Sequence, residues 1–322
     1  MKFTSKIIVF GEYGILLGSQ ALAIPYPRYS GHLRTWKDSA TPVTETERIS
    51  NGVLKKYFIF LKDEQHNIGF LNLARFAEEL QTGLIFDSSI PSGYGLGSSG
   101  ALTAAIYHRY IADPNPTDHY TLKNRLALLE SYFHKVSSGI DPLTSYLNQP
   151  VLFRNDRSVE TTPDLSAFFS AYSLFLIDIP SRGNTGKLVR KFIADCEEPA
   201  YRKKMMEEYV PLVDQTIAAI NSPDLKQLES YLAKYSQFQY ANFSGMIPET
   251  MLRHLKYGID SGDFYLKLCG SGGGGQMLAI TRHRSETENY LKLNRLNYAL
   301  AEHQQTINPM YHLNLQHHEN AK

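Results

Sequence analysis

The sequence predicts a mixed α and β protein of two domains, on three observations. The chain has 322 residues, 43% of them hydrophobic, enough to bury sizeable cores. Short apolar runs with strand character alternate with longer segments of helical spacing. A polar stretch rich in Asp, Thr and Pro, Asn155 to Asp164, separates a first set of such elements from a second. The boundary falls there, giving units 1–165 and 166–322.

Within the first unit, Lys6 to Phe10 (KIIVF) reads as a buried strand closed by Gly11-Glu12. Gly14 to Ile24 reads as a loop and a second strand. Gly31 to Phe60 carries alternating segments such as Tyr57-Phe58-Ile59-Phe60, read as antiparallel strands. Leu71 to Leu80 has helical spacing, and Gly83 to Asp87 is a short strand that enters a glycine-rich loop. Ser99 to Tyr110 and Leu122 to Lys135 read as helices, the second ended by Ser137-Ser138-Gly139. In the second unit, Tyr172 to Ile179 is a strand. Three helices follow, near Ala200 to Ile220, Leu225 to Asn242 and Pro248 to Ile259. Strands Phe264 to Leu268 and Gln276 to Thr281 bracket a glycine run.

Composition excludes several function classes. The 33 basic and 32 acidic residues leave a formal charge of +1, so no global field points to nucleic acid or a membrane surface. A few local cations would still suffice for an anionic substrate. Cys196 and Cys269 lie far apart without metal-ligand spacing, which fits a reducing compartment. The apolar stretch Ile7 to Phe10 is too short for a signal-peptide core, and no window approaches the roughly 18 apolar residues of a membrane span. The expectation is a cytoplasmic protein. His312, His317 and His318 read as a polar tail rather than a metal site.

The sharpest motif is Ile90-Pro91-Ser92-Gly93-Tyr94-Gly95-Leu96-Gly97-Ser98-Ser99-Gly100-Ala101, set between a predicted strand and a predicted helix. Its glycines permit positive φ and close backbone approach. The helix start adds free N–H groups and a positive dipole end, which suit phosphates. Ser98 and Ser99 offer hydroxyls to a phosphate or to Mg²⁺. No Gly-Lys-Ser/Thr follows, so this is not a Walker A loop. A plain helix-capping turn is the structural alternative. Glu130 and His134, four residues apart, share a helix face, and the Ser137-Ser138-Gly139 turn can return Asp141 towards Glu130. Two carboxylates at a phosphate site can divide labour, one holding a cation and one orienting a hydroxyl. A solvated helix charge and a turn aspartate are the bland alternative. The run Lys267-Leu268-Cys269-Gly270-Ser271-Gly272-Gly273-Gly274-Gly275 permits tight approach to a substrate or a neighbouring loop. Lys6 before Glu12 can offset phosphate charge if buried.

Together these segments resemble the GHMP small-molecule kinase superfamily, named for galacto-, homoserine, mevalonate and phosphomevalonate kinases. Pro91-x-x-x-Gly95-Leu96-Gly97-Ser98-Ser99 is similar to its nucleotide loop, Lys6 to Glu12 to its first motif, and Lys267-x-x-Gly270-x-Gly272-Gly273-Gly274 to its third. Glu130, His134 and Gly139-Ile140-Asp141 look most like the mevalonate kinase pattern. The resemblance implies an α+β, two-domain fold: a ribosomal protein S5 domain 2-like N-terminal domain and a ferredoxin-like C-terminal domain, with the active site between them. It implies ATP and Mg²⁺, and phosphorylation of a small alcohol, first of all mevalonate to 5-phosphomevalonate in isoprenoid precursor synthesis. Phosphomevalonate kinase, and a non-catalytic ligand sensor on the same fold, are the rival readings. A homodimer stays open.

Carried over residue by residue, the resemblance makes Asp141 the catalytic base. Lys6 lowers the pKa of the substrate hydroxyl. Pro91, Gly93, Gly95, Leu96, Gly97, Ser98, Ser99 and Gly100 bind nucleotide, and Ser99 and Glu130 hold Mg²⁺. Lys6, Glu12, Asp141, Thr185, Gly272 and Gly273 meet the substrate. The chain departs from the pattern at Ser5, where Gly is usual, and at Tyr13, where mevalonate kinases carry His. It departs again at Asn148-Gln149, where Gly-Gly is usual, and at Cys269 and Ser271, where Thr and Ala are common. Extra cations near the acceptor would favour a phosphorylated one; Arg182, Lys187 and Arg190 are candidates, an ordinary exposed strand-to-helix face being the preferred reading.

Overall fold

The computed structural model describes residues 1–38, 42–64, 66–113, 116, 118–179, 181, 185–222, 224–243 and 245–301, with the side chain of Thr185 excepted. Arg182 and the histidines beyond residue 301 lie outside the described residues.

Strand β1 (Phe3–Phe10) is buried at all eight positions, as expected of an apolar run covered on both faces. A short 3₁₀ turn (Gly14–Leu17) leads into β2 (Ala21–Thr35), antiparallel to β1. Then come α1 (Glu45–Asp63), α2 (Leu73–Gln81), β3 (Leu84–Ser88), α3 (Ser98–Tyr110), α4 (His119–His134), α5 (Ile140–Leu147), β4 (Val151–Phe153) and β5 (Val159–Thr161). The first sheet has five strands in the order β1-β2-β4-β5, with β3 paired to the distal half of β2.

The second half contains α6 (Ser166–Ala171), β6 (Ser173–Ile179), α7 (Thr185–Asp195), α8 (Pro199–Lys204), α9 (Val210–Ala218), α10 (Leu225–Asn242), α11 (Glu249–Ser261), β7 (Tyr265–Leu268), β8 (Gly275–Thr281), α12 (Arg284–Leu293) and β9 (Tyr298–Leu300). Its antiparallel sheet runs β7-β8-β6-β9. The two sheets share one core. The ring of Phe10 lies edge-on to Phe168 at 6.4 Å and to Tyr235 at 5.7 Å, bringing both halves of the chain onto the end of β1.

One expectation fails. Tyr57-Phe58-Ile59-Phe60 is helical, in the fourth and fifth turns of α1. Four consecutive apolar residues fit either period. The start of the segment decides: Thr44 and Glu47 form a capping box, and Leu54, Tyr57 and Leu61 then fall on one buried face. The predicted helix 200–220 is a single rod with a wider, π-type turn at Met205–Tyr209, just before Pro211, whose missing N–H cannot serve a regular turn. Helices α5 and α7 were not foreseen. No helix among the described residues is long and apolar enough to cross a membrane.

Candidate active site

Lys6 lies in the middle of β1 with its side chain 2% exposed. A buried ammonium is costly unless it is paired. Its Nζ lies 2.9 Å from Asp141 Oδ2 and donates to the Gly95 carbonyl at 3.1 Å. The main-chain N–H of Lys6 also donates to the Leu96 carbonyl at 3.1 Å, tying the strand to the glycine-rich loop. Asp141 occupies the first turn of α5, where the helix dipole favours a carboxylate. Its second oxygen, Oδ1, is buried without a partner.

The loop between β3 and α3 turns on Gly93, Gly95 and Gly97, whose φ values are +81°, +75° and +75°. Gly97 caps α3, so the amides of its first turn open on the same cleft as Lys6 and Asp141. On the far side of α3, the backbone at Gly100 presses on the Asp141–Pro142 peptide, where a Cβ would come within 2.9 Å. Loop and carboxylate are therefore fixed by one contact between α3 and α5.

Ser99 Oγ donates to Glu130 Oε1 at 3.0 Å and lies 3.0 Å from His134 Nε2. Ser137 Oγ donates to Glu130 Oε2 at 2.5 Å. Burial pushes the Glu130 carboxyl up to about 7, with the negative Asp141 adding to the rise and the two serine hydroxyls opposing it. Burial holds His134 below its usual range. A hydroxyl and a buried carboxylate converging on one point suit a hard cation such as Mg²⁺, which takes one or two protein oxygens and completes its shell with phosphate and water.

Glu12 closes the floor of the cleft at the junction of the two halves. Its Oε1 accepts from Lys267 Nζ at 2.8 Å and Gln239 Nε2 at 2.6 Å, while Oε2 is buried without a partner. Tyr209 donates to the Glu12 carbonyl at 3.0 Å and contacts Tyr235 OH at 3.1 Å. The Leu268 N–H donates to Gln239 Oε1 at 2.8 Å, so the same amide holds the strand that opens the glycine run. Tyr13 donates to the Ser271 carbonyl at 2.6 Å and pins that run from the other lobe.

One cleft of about 570 Å³ gathers Lys6, Glu12, Pro91, Gly93, Gly95, Leu96, Gly97, Ser98, Ser99, Glu130 and Asp141. Gly270 and Ser271 of the glycine run also line it. Gly272 and Gly273 do not: Gly273 N–H donates to the Met246 carbonyl at 2.6 Å, and a Cβ on Gly272 would come within 2.3 Å of that same oxygen. Gly186 lines the cleft next to Thr185, whose side chain lies outside the described residues. Sequence reasoning missed Gln239, Tyr209 and Tyr235, and it missed the apolar wall from Val53, Leu54 and Phe133. The lysine of the third motif was the one available signal for the Glu12 clamp.

Residues 67–149, which hold the loop, Glu130 and Asp141, match the family model described as GHMP kinases N terminal domain. No curated protein sequence matches the chain significantly. Among solved structures it is similar to L. major mevalonate kinase in complex with R-mevalonate, with 16% identity and a TM-score of 0.60 over 95% of this chain and 96% of that one. It is similar to Streptococcus pneumoniae phosphomevalonate kinase in complex with phosphomevalonate and AMPPNP, with 15% identity and a TM-score of 0.64 over 92% and 97%. It is also similar to Lactococcus lactis galactokinase complexed with galactose, with 12% identity and a TM-score of 0.62 over 94% and 92%. At such identities the likeness is one of fold.

Proposed function

We propose that this chain, which has the α+β fold of the GHMP kinases, transfers the γ-phosphoryl group of ATP to the hydroxyl of a small alcohol, with mevalonate as the acceptor. The observation that carries the reading is the Lys6–Asp141 contact of 2.9 Å at the mouth of a glycine loop and a helix start. Phosphoryl transfer needs positioning and charge neutralisation more than covalent help from the protein.

The unpartnered Asp141 Oδ1 accepts the proton of the acceptor hydroxyl. The acceptor's own hydroxyl oxygen then bonds to the γ-phosphorus, the bond from phosphorus to the β,γ-bridging oxygen breaks, and ADP leaves. The Lys6 ammonium holds Asp141 in place and offsets charge on the transferred group. The α3 amides and the loop backbone cradle the phosphates. Ser99 and Glu130 would hold Mg²⁺, which would supply positive charge to offset that of the phosphates. The division at 165/166 puts the loop and Asp141 in the first unit and the glycine run in the second.

Mevalonate is preferred to phosphomevalonate because α7 offers the cleft Gly186 and Val189, while Lys187 and Arg190 are exposed on that helix. ADP release should be measured with ATP and Mg²⁺ against mevalonate, phosphomevalonate and galactose. The proposal expects release with mevalonate alone. Turnover of phosphomevalonate instead would move the assignment to the rival kinase. Nucleotide binding without ADP from any acceptor would favour the sensor.

A further inference from the structure

Glu130 is buried, and among the described residues two side chains bond to its carboxylate, one at each oxygen. Ser99 Oγ donates to Oε1, and Ser137 Oγ donates to Oε2. The two bonds differ in what a cation does to them. Ser99 Oγ and Oε1 are the pair that would hold Mg²⁺ in the phosphoryl-transfer reading above. A cation shared by two oxygens repels a hydroxyl proton from the space between them. The Ser99 bond cannot then fix the carboxylate. The Ser137 bond lies on the other oxygen and is compatible with the loaded state.

The chain commits both sides of the Ser137 hydroxyl. A serine has one proton to give and lone pairs to accept with. Ser137 Oγ accepts from the Gly139 N–H at 3.0 Å, which leaves its proton for Glu130 Oε2 at 2.5 Å. The turn that carries this hydroxyl is itself held. It leaves α4 at Lys135, φ +63°, and enters α5 at Gly139, φ +76°. Lys123 Nζ, from α4, donates to the Ser138 carbonyl at 2.9 Å. A Cβ on Gly139 would come within 2.4 Å of the Lys123 carbonyl oxygen, so the turn is pressed onto the same helix. The hydroxyl therefore meets Glu130 from a braced turn and does not follow the carboxylate if it rotates. Gly139 also caps the helix whose first turn holds Asp141, so one turn sets both carboxylates of the cleft.

We infer that Ser137 is a positioning residue for cation binding: its hydroxyl holds the Glu130 side chain so that Oε1 stays turned towards Ser99. This rests on the phosphoryl-transfer reading and deepens it. Without that hydroxyl, Oε2 has no side-chain partner among the described residues, and the carboxylate is free to turn away from Ser99. A group that orients a metal ligand is typically worth roughly 10- to 100-fold in metal affinity.

Isothermal titration of the full chain with AMPPNP, in excess Mg²⁺ and in EDTA, tests the inference. The ratio of the two dissociation constants measures what the cation adds to nucleotide binding. Ser137→Ala should shrink that ratio roughly 10-fold, or to unity, and leave the affinity in EDTA unchanged. Ser137→Thr, which keeps the hydroxyl, should restore the wild-type ratio. An equal loss in both conditions means general damage to the turn, and the inference fails. It fails as well if Ser137→Ala keeps the wild-type ratio, or if Ser137→Thr is as impaired as Ser137→Ala. Each of these outcomes leaves the kinase reading standing. Wild-type binding of AMPPNP that ignores Mg²⁺ overturns the inference together with the Ser99–Glu130 cation site. A wild-type chain that binds AMPPNP in neither condition overturns the phosphoryl-transfer reading itself.

Discussion

Gly97→Ala should damage the reaction far more than its cost in stability suggests. Gly97 caps α3 at φ +75° and ψ +37°, in the left-handed region. An alanine there is strained by about 1–2 kcal/mol. The added Cβ would also lie 2.8 Å from Lys6 Cγ and 2.9 Å from Lys6 Cε. The shorter contact falls about 0.6 Å inside ordinary van der Waals range, which begins at 3.4 Å. Lys6 cannot swing clear, being buried and held by Asp141 and Gly95. Either the ammonium leaves Asp141 or the loop lifts from β1. The expected result is a Tm lower by about 2–8 °C and a turnover lower by roughly 10²-fold, as for a misplacement approaching 1 Å. Gly18→Ala is the control. Its φ is +92°, but nothing lies within 4 Å of the added Cβ. It should show similar strain and near-normal turnover. If thermal unfolding and ADP release show Gly97→Ala losing no more activity than Gly18→Ala, the argument from Lys6 is wrong.

Other outcomes follow from the same site. Lys267→Met would leave the Glu12 carboxylate, 1% exposed, with Gln239 as its side-chain partner. Urea unfolding should show a loss of about 3–5 kcal/mol, partly recovered when Glu12→Gln is added. Glu130→Gln should raise the Mg²⁺ concentration needed for half-maximal ADP release and leave thermal stability near wild type or higher, because it removes a buried carboxylate that burial penalises. His254 is held below its usual 6.5 by burial and by neighbouring Arg253. The unfolded chain therefore binds its proton more readily, so this stabilisation is present above pH 6.5 and lost as pH falls below it. The drop in Tm between pH 7.5 and 5.5 should accordingly be smaller in His254→Gln, compared by thermal scans in matched buffers.

The residues of the candidate site were legible in the sequence, because local chemistry writes local patterns. KIIVF announces a buried strand, and a lysine within that strand must find a partner. Glycines at 93, 95 and 97 announce positive φ before a helix. The spacing from Glu130 to Asp141 fits a helix, a turn and a return, and the turn at Ser137 does bring Glu130 and Asp141 to one cleft. What could not be read depends on packing across the chain. Gln239 and Tyr209 are ordinary helical residues until α10 and the π-type turn bring them under Glu12, 227 and 197 positions away. Tyr57 to Phe60 misled for a related reason: an apolar run is silent about its period, and the capping box that settles it begins thirteen residues earlier, at Thr44. Gly272 and Gly273 belong to a run read as approaching a substrate or a neighbouring loop, and their close contact is with the Met246 backbone.

The most direct test compares wild type with Asp141→Asn, measuring ADP release with ATP, Mg²⁺ and mevalonate alongside AMPPNP binding. With the carboxylate lost as proton acceptor, turnover should fall by roughly 10²- to 10⁴-fold while AMPPNP binds as before. Undiminished turnover in Asp141→Asn would contradict the account at its centre.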